Sequence, residues 1–530
     1  MKKYILIIVV FFTAGISACK KDFLSLEVNP NQPSSTTPQL TLAAAEAATA
    51  ATVNTSYSAN GVWMGYWTPS GNFVPSTTIQ QFNITNGTFT GVWTILYQNL
   101  TNLNNLQVIA AKDPSLANYQ AIAMILKAYN FQQLVDQFGN VPYTEAFQPS
   151  TILFPKYDKG IDIYHDLGKQ LDAAIALINS KGGAAASPGN SDIIFGGNMT
   201  GWKKFANSLK LRLAIRMSTK FSNDELISDL ASTASEGYLD ETIQAAANPG
   251  YANALANGAS QQSPFWLVYG NDTNGNPTGG NVFWRANQFF INLLRSNNDP
   301  RLQQDYYETL AVGSKTGDDP SVIQGNVFGD TKTTLANPNT SSIGPGLLQS
   351  PSQDAVIFSG AESLFLQAEA VVDGKIPGDA QALYQRGITA SFVALRAGST
   401  IAYSSASGTF AVTPASPAQS AALAVTYYSQ DNVANVTWPG TVQAQKEAII
   451  YQKWFALIGY NNLEPYLEYQ RTGFPILPKP LSIDPGRVSD VAPIRQFYPI
   501  TEVTTNPVAV QKEGTIDIFN TTIFWATKPN

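Results

Sequence analysis

Trp202-Lys203-Lys204-Phe205-Ala206-Asn207-Ser208-Leu209-Lys210-Leu211-Arg212-Leu213-Ala214-Ile215-Arg216 places large apolar residues at Trp202, Phe205, Leu209 and Leu213. Spacings of three and four gather side chains on one side of an α-helix, so this stretch predicts a helix with a buried stripe. The pattern recurs at Tyr164, Leu167, Leu171, Ala174, Ile175 and Ile178, and again at Ala361, Leu364, Phe365 and Ala368. Similar windows cover 88–110, 118–138, 378–396 and 443–459, punctuated by Asp113-Pro114 and Ile376-Pro377-Gly378. Short amphipathic helices in pairs leave apolar surface that a neighbouring pair must cover. The expected fold is therefore mostly α, with tetratricopeptide-like stacked helical hairpins, although the strict repeat signature is missing.

Between the helices run Gly/Asn/Ser/Thr-rich stretches at 181–200, 245–282, 311–352 and 397–416. They are too many and too long to be simple connections, and are expected to fold over the helices as loop-rich insertions. Strands should be few and confined to short hairpins in these insertions.

Composition narrows the function. The 530 residues are 44% hydrophobic, enough for a large core, and length alone would allow two to four domains or one large helical unit. Charged residues are only 13%, about half of the ~25% of a typical soluble domain. With 32 Lys and Arg against 38 Asp and Glu, no basic excess exists to displace counterions from nucleic acid, which is excluded as a partner. The chain has one histidine, His165, and one cysteine, Cys19. That rules out a His-rich or Cys-based zinc site and an internal disulfide. His165 sits on an apparent helix with no triad partner near it in sequence and reads as a surface residue.

The N-terminus reads as an address. Met1-Lys2-Lys3 precedes an apolar run from Tyr4 to Ile16, too short to span a bilayer and of signal-peptide proportions. It ends in Ile16-Ser17-Ala18-Cys19, which resembles a bacterial lipobox, with the only cysteine where the lipidated residue would be. Residues 1–18 are expected to be a leader, Cys19 the lipid-bearing N-terminus, and 19–40, rich in Pro, Asn and Ser, an extended tether. Residues 41–530 would form a single domain.

Five phrases in order then resemble the SusD/RagB family of outer-membrane nutrient-binding lipoproteins. They are Ala128 through Asp136, Gly139, Pro142, Tyr143 and Glu145 to Ala146; Trp202 through Arg216; Asp299-Pro300-Arg301-Leu302; Ala361-Glu362 through Ala368-Glu369-Ala370; and Tyr451 through Trp454 and Glu464 to Arg471-Thr472-Gly473-Phe474-Pro475, followed by Arg495, Tyr498-Pro499 and Glu502. Gln470 replaces the first of two arginines usual before Thr-Gly, and Tyr466 stands where tryptophan is common. The resemblance implies a lipid-anchored, non-catalytic receptor facing the cell exterior. It would capture oligosaccharide and deliver it to a SusC-like TonB-dependent β-barrel, with no cofactor. Peptide cargo is the alternative within the family. Asp136, Arg212, Arg216, Glu369 and Arg471, set among apolar stripes, are read as internal ion-paired clamps rather than ligand contacts.

A sugar receptor needs flat aromatic faces ringed by amides, hydroxyls and arginines. Two segments outside the scaffold phrases have that composition: Trp63-Met64-Gly65-Tyr66-Trp67 through Asn72-Phe73, and Phe265-Trp266 through Tyr269, Asp272, Phe283-Trp284-Arg285 and Asn287. Trp63, Trp67, Asn72, Trp266, Tyr269, Asp272, Trp284, Arg285 and Asn287 are the candidate ligand residues. Asn271-Asp272-Thr273-Asn274-Gly275-Asn276 has calcium-loop character, but the position twelve on from Asn271 is Val282, so a turn is the better account. A secreted glycosidase would need two carboxylates about 5–10 Å apart, for which Asp272 and Glu308 are available but not singled out.

Overall fold

A computed structural model describes residues 36–148, 150–181, 185–307, 323–330, 334–404, 409–480 and 488–527. The expected leader, Cys19 and most of the tether lie outside these residues. The first helix starts at Pro38, inside the 19–40 span expected to stay extended. Thr37 caps it by accepting from Leu40 N–H, and proline fits the first helical position because no N–H is needed there.

Among the described residues, the helices of ten residues or more are α1 Pro38–Thr55, α2 Thr90–Ala110, α3 Ala117–Phe138, α4 Gly160–Lys181, α5 Met199–Ser218, α6 Gly360–Val372, α7 Ala380–Ala394, α8 Pro417–Tyr428, α9 Val442–Leu457 and α10 Leu463–Thr472. The apolar windows read from sequence coincide with α2 to α7 and α9 within a few residues. Helices consecutive in the chain pack on one another: α1 on α2, α2 on α3, α3 on α4 and α4 on α5, then α6 on α7 and α7 on α8. This is the expected stack of helical hairpins. The two runs meet where α5 lies on α6. A second cluster of buried residues, including Phe365, Tyr384, Ile388, Phe392, Tyr427 and Ile449, fills the space among α6, α7, α8 and α9.

Ion pairs at the centre hold these helices in register. Arg216 on α5 is paired with Asp136 on α3 at 2.5 Å and with Glu464 on α10. Arg212, one turn away, reaches Glu362 on α6 at 3.0 Å and Glu464 at 3.3 Å. Arg471 closes the group on Glu369 at 2.8 Å and Glu468 at 2.5 Å. All the residues named as clamps are buried and paired. Removing one partner of such a group typically costs about 3–5 kcal/mol, because it leaves a buried charge without compensation. The Asp299-Pro300-Arg301 phrase acts alike: Arg301 bonds Asp299 at 2.6 Å and Gln452 at 2.8 Å, and lies over the rings of Phe392, Phe455 and Tyr427.

Among the described residues, strands form five two-stranded pairings. Leu255–Ala256 with Ala259–Ser260 and Thr400–Ser404 with Thr409–Thr413 are the hairpins expected in the insertions. The restriction to local hairpins does not hold. Ala245–Ala247 pairs with Ala355–Phe358, and Trp67–Pro69 pairs with Trp284–Ala286. Insertion backbone laid over a helical scaffold must satisfy its N–H and C=O groups, and another insertion is the nearest source.

Candidate ligand-binding surface

The pairing of Trp67–Pro69 with Trp284–Ala286 joins the two aromatic segments singled out in the sequence. It is antiparallel, with Trp67 opposite Ala286, Thr68 opposite Arg285 and Pro69 opposite Trp284. Ser70 N–H continues it by donating to Phe283 C=O at 2.8 Å, and Asn287 N–H donates to Tyr66 C=O at 3.2 Å. The helix Pro264–Tyr269 packs on the helix Gly279–Phe283, where Thr278 Oγ1 donates to Val268 C=O at 2.6 Å.

The structure corrects which side chains this surface presents. Trp67 is fully buried and Trp63 and Trp284 nearly so. Trp67 packs on the buried Tyr269 ring at 5.3 Å, and Trp63 on Phe82, Phe89 and Tyr466, with its indole N–H on Ile79 C=O. Asn287 is buried as a helix cap, accepting from Phe289 N–H at 3.0 Å. Arg285 is 7% exposed, with Nε on Asn337 Oδ1 at 3.0 Å, and burial pushes its guanidinium down to about 10. These residues anchor the segments to the core. A large ring has roughly 150–250 Å² to bury, and at about 25 cal/mol per Å² that is a stronger pull than the loop's Gly and Asn content suggests.

Other candidates keep access to solvent. Trp266 is half-buried, with its indole N–H on Asn271 C=O at 3.0 Å. Asp272 closes its own turn: Oδ1 accepts from the Asn274 and Asn276 N–H groups, both at 2.9 Å. Those bonds, Asn276 first, hold its carboxyl below the usual range. Among the described residues no group of three or more His, Cys, Asp or Glu could hold a metal ion. Glu308 lies outside the described residues. Asn72 is exposed, and its Oδ1 accepts from Asn337 N–H at 2.7 Å and from Ser70 Oγ–H at 3.0 Å.

The ring most open here is Phe73, 42% exposed, set edge-on to the half-buried Phe283 at 5.0 Å, with Val74 beside it in sequence 88% exposed. Both rings lie inside the quoted segments, but tryptophan drew the reading because it offers more stacking area. A third segment, inside the 311–352 insertion, was not singled out in the sequence as part of this surface. Gly71 N–H donates to Leu335 C=O at 3.0 Å, and Asn326 Nδ2 spans Pro69 and Leu335 C=O, so residues 334–337 form one wall. Only an unremarkable polar loop marks it in sequence. Gly71 is required there, since a Cβ would lie 2.4 Å from Thr334 C=O. His165 stands apart, with Nε2 2.9 Å from Asp224 Oδ2.

A family model described as SusD-like, starch-binding and associating with the outer membrane matches residues 30–499. Among solved structures, a chitin-binding protein superposes with a TM-score of 0.73 at 25% identity, covering 93% of this chain and 100% of its own. A SusD-like protein from Bacteroidetes gives 0.74 at 22% identity with the same coverage. An outer-membrane protein of Bacteroides vulgatus, described in connection with nutrient binding, gives 0.72 at 23% identity, again over 93% and 100%. The last two likenesses show the fold. No curated protein sequence matches the chain.

Proposed function

Because the chain belongs to the SusD-like family of starch-binding proteins that associate with the outer membrane, we propose that it captures oligosaccharide at the cell surface without altering it. The captured sugar passes to a SusC-like TonB-dependent barrel, with lipid on Cys19 holding the receptor in place. One observation carries the assignment of the site: a strand pair welds two aromatic and amide-rich segments, far apart in the chain, into one surface where the exposed Phe73 ring meets the half-buried Phe283. Sugar C–H faces stack on such rings, while Asn72, fixed by Ser70 and Asn337, meets ring hydroxyls. The alternation with neutral amides suits an uncharged glycan better than a peptide terminus. No step requires a carboxylate.

The test is retention of the mature chain on immobilised neutral glycans, with products assayed in parallel. Replacing Phe73 and Phe283 together by alanine should weaken retention about tenfold, equivalent to ~1.4 kcal/mol. Unchanged retention by the double variant removes the assigned site, and sugar turnover by the wild type removes the non-catalytic reading.

A further inference from the structure

Helices α2, α3 and α4 and the loop at 143–148 line a solvent-open cavity of about 360 Å³, remote in sequence from the aromatic surface. That volume falls within the roughly 300–1,000 Å³ of small-molecule sites. Its walls combine the rings of Phe131, Tyr143 and Phe147 with the amides of Asn104, Gln107, Gln148 and Gln170. Lys127 stands among them. Its ammonium donates to Asn104 Oδ1 at 2.9 Å and Gln107 Oε1 at 2.8 Å, and lies 5.3 Å from the Phe147 ring centroid.

Lys127 is half-buried and has no carboxylate partner. Most buried cations of this chain are matched with acids: Lys210 with Asp172 and Asp229, Lys453 with Glu468, and Arg212, Arg216, Arg301 and Arg471 with the carboxylates named above. Arg285 and Arg495 bond amide and carbonyl oxygens instead, but neither lines this cavity. Among the described residues Lys127 has no ion pair, and two of its three N–H groups are taken by amides. The charged and titratable groups around it are few. Asp166 on α4 accepts the Tyr143 hydroxyl and, at 3.5 Å, Gln170 Nε2, while Asp158 accepts from Thr144. Asp166 attracts the ammonium from a distance, but burial prevails and pushes Lys127 down to about 8.

We propose that this cavity is a second ligand site, for a small carboxylate bearing hydroxyl groups, the size of one acidic sugar residue, whose carboxylate pairs with Lys127. A single point charge suits a monoanion. The surrounding amides suit hydroxyls, and the rings provide the apolar wall.

Isothermal titration of the mature chain with D-glucuronic acid and with glucose tests it. At pH 7 the acid should bind at least tenfold more tightly than glucose, and Lys127→Met should erase the difference. The acid's affinity should fall about tenfold between pH 7 and pH 9, as the ammonium of the free protein loses its proton. Phe73→Ala should leave all of this unchanged, which separates this site from the aromatic surface. On the wild type, acylation of Lys127 at pH 8, read by peptide mass spectrometry, should be blocked by glucuronate and not by glucose, so the outcome does not depend on the variant folding. Equal binding of acid and neutral sugar, a pH-independent affinity, or acylation that glucuronate does not slow would each overturn the proposal.

Discussion

Asp136 and Glu362 sit within the central ion-pair group, yet burial outweighs the arginines beside them. Loss of water pushes Asp136 up to about 6 against the pull of Arg216, and Glu362 up to about 7 against that of Arg212. Glu362 Oε2 has no hydrogen-bond partner among the described residues, so no donor there offsets the loss of water. Burial opposes ionisation of Glu464 and Glu468 too, but Arg212 and Arg216 hold the first, and Arg471 and Lys453 the second, below the ordinary range. The two kinds of shift act in different pH windows. A carboxyl raised in the fold contributes stability that is complete below its unfolded value near 4 and is lost as pH rises through 6 to 7. A lowered one is ionised in both states above pH 5 and changes nothing there. Glu46 and Asp305, both raised by burial, add to the first kind. The melting temperature should therefore be higher at pH 5 than at pH 7.5, and Glu362→Gln, which copies the protonated carboxyl, should narrow the gap. A melting temperature flat between those values would contradict the assignment.

At the scale of elements, the long helices were legible in the sequence because their signal is local: a stripe every three or four residues needs no knowledge of what covers it. The clamps were legible for a related reason, since a charge inside such a stripe must find a partner. The pairing of Trp67 with Ala286 has no such signature, because strand register across so wide a gap is set by the scaffold beneath. This is also why the exposed rings were misjudged. The two strands are only three residues long, invisible to periodicity, and every residue in both is buried, so which rings stay open depends on what covers each face. Gly71 tests how tightly the elements are fitted. In Gly71→Ala the new methyl meets the Thr334 and Leu335 carbonyls, so residues 334–337 must move and the bond from Asn337 N–H to Asn72 is lost. Overpacking of this kind costs about 1–3 kcal/mol. Because the segment is peripheral to the helical core, the expected result is a roughly tenfold loss of glycan retention with the melting temperature lowered by only a few degrees. A large fall in melting temperature with retention intact would show that this wall supports the fold and not the site.

The whole molecule places its family phrases in the helical scaffold and the proposed ligand surface on other segments, so the family was readable from the ordered phrases while the cargo was not. Attachment to the membrane belongs to this scale as well. Among the described residues no helix is long and apolar enough to cross a bilayer, and the family is described as associating with the outer membrane. The means read from the sequence is acylation of Cys19, the only cysteine, directly after an apolar leader. One acyl chain holds a protein only marginally, whereas two or more hold it stably, each buried methylene contributing about 0.8 kcal/mol. Expressed with its leader in a bacterium that has an outer membrane, the wild type should sediment with that membrane and be released by detergent but not by high salt, whereas Cys19→Ala should appear in the soluble fraction. Release of the wild type by salt would replace the lipid with an electrostatic contact. Gentle detergent extraction should also bring down a large β-barrel in near-equimolar amount, and its consistent absence would leave the receptor without the transporter through which its function is proposed.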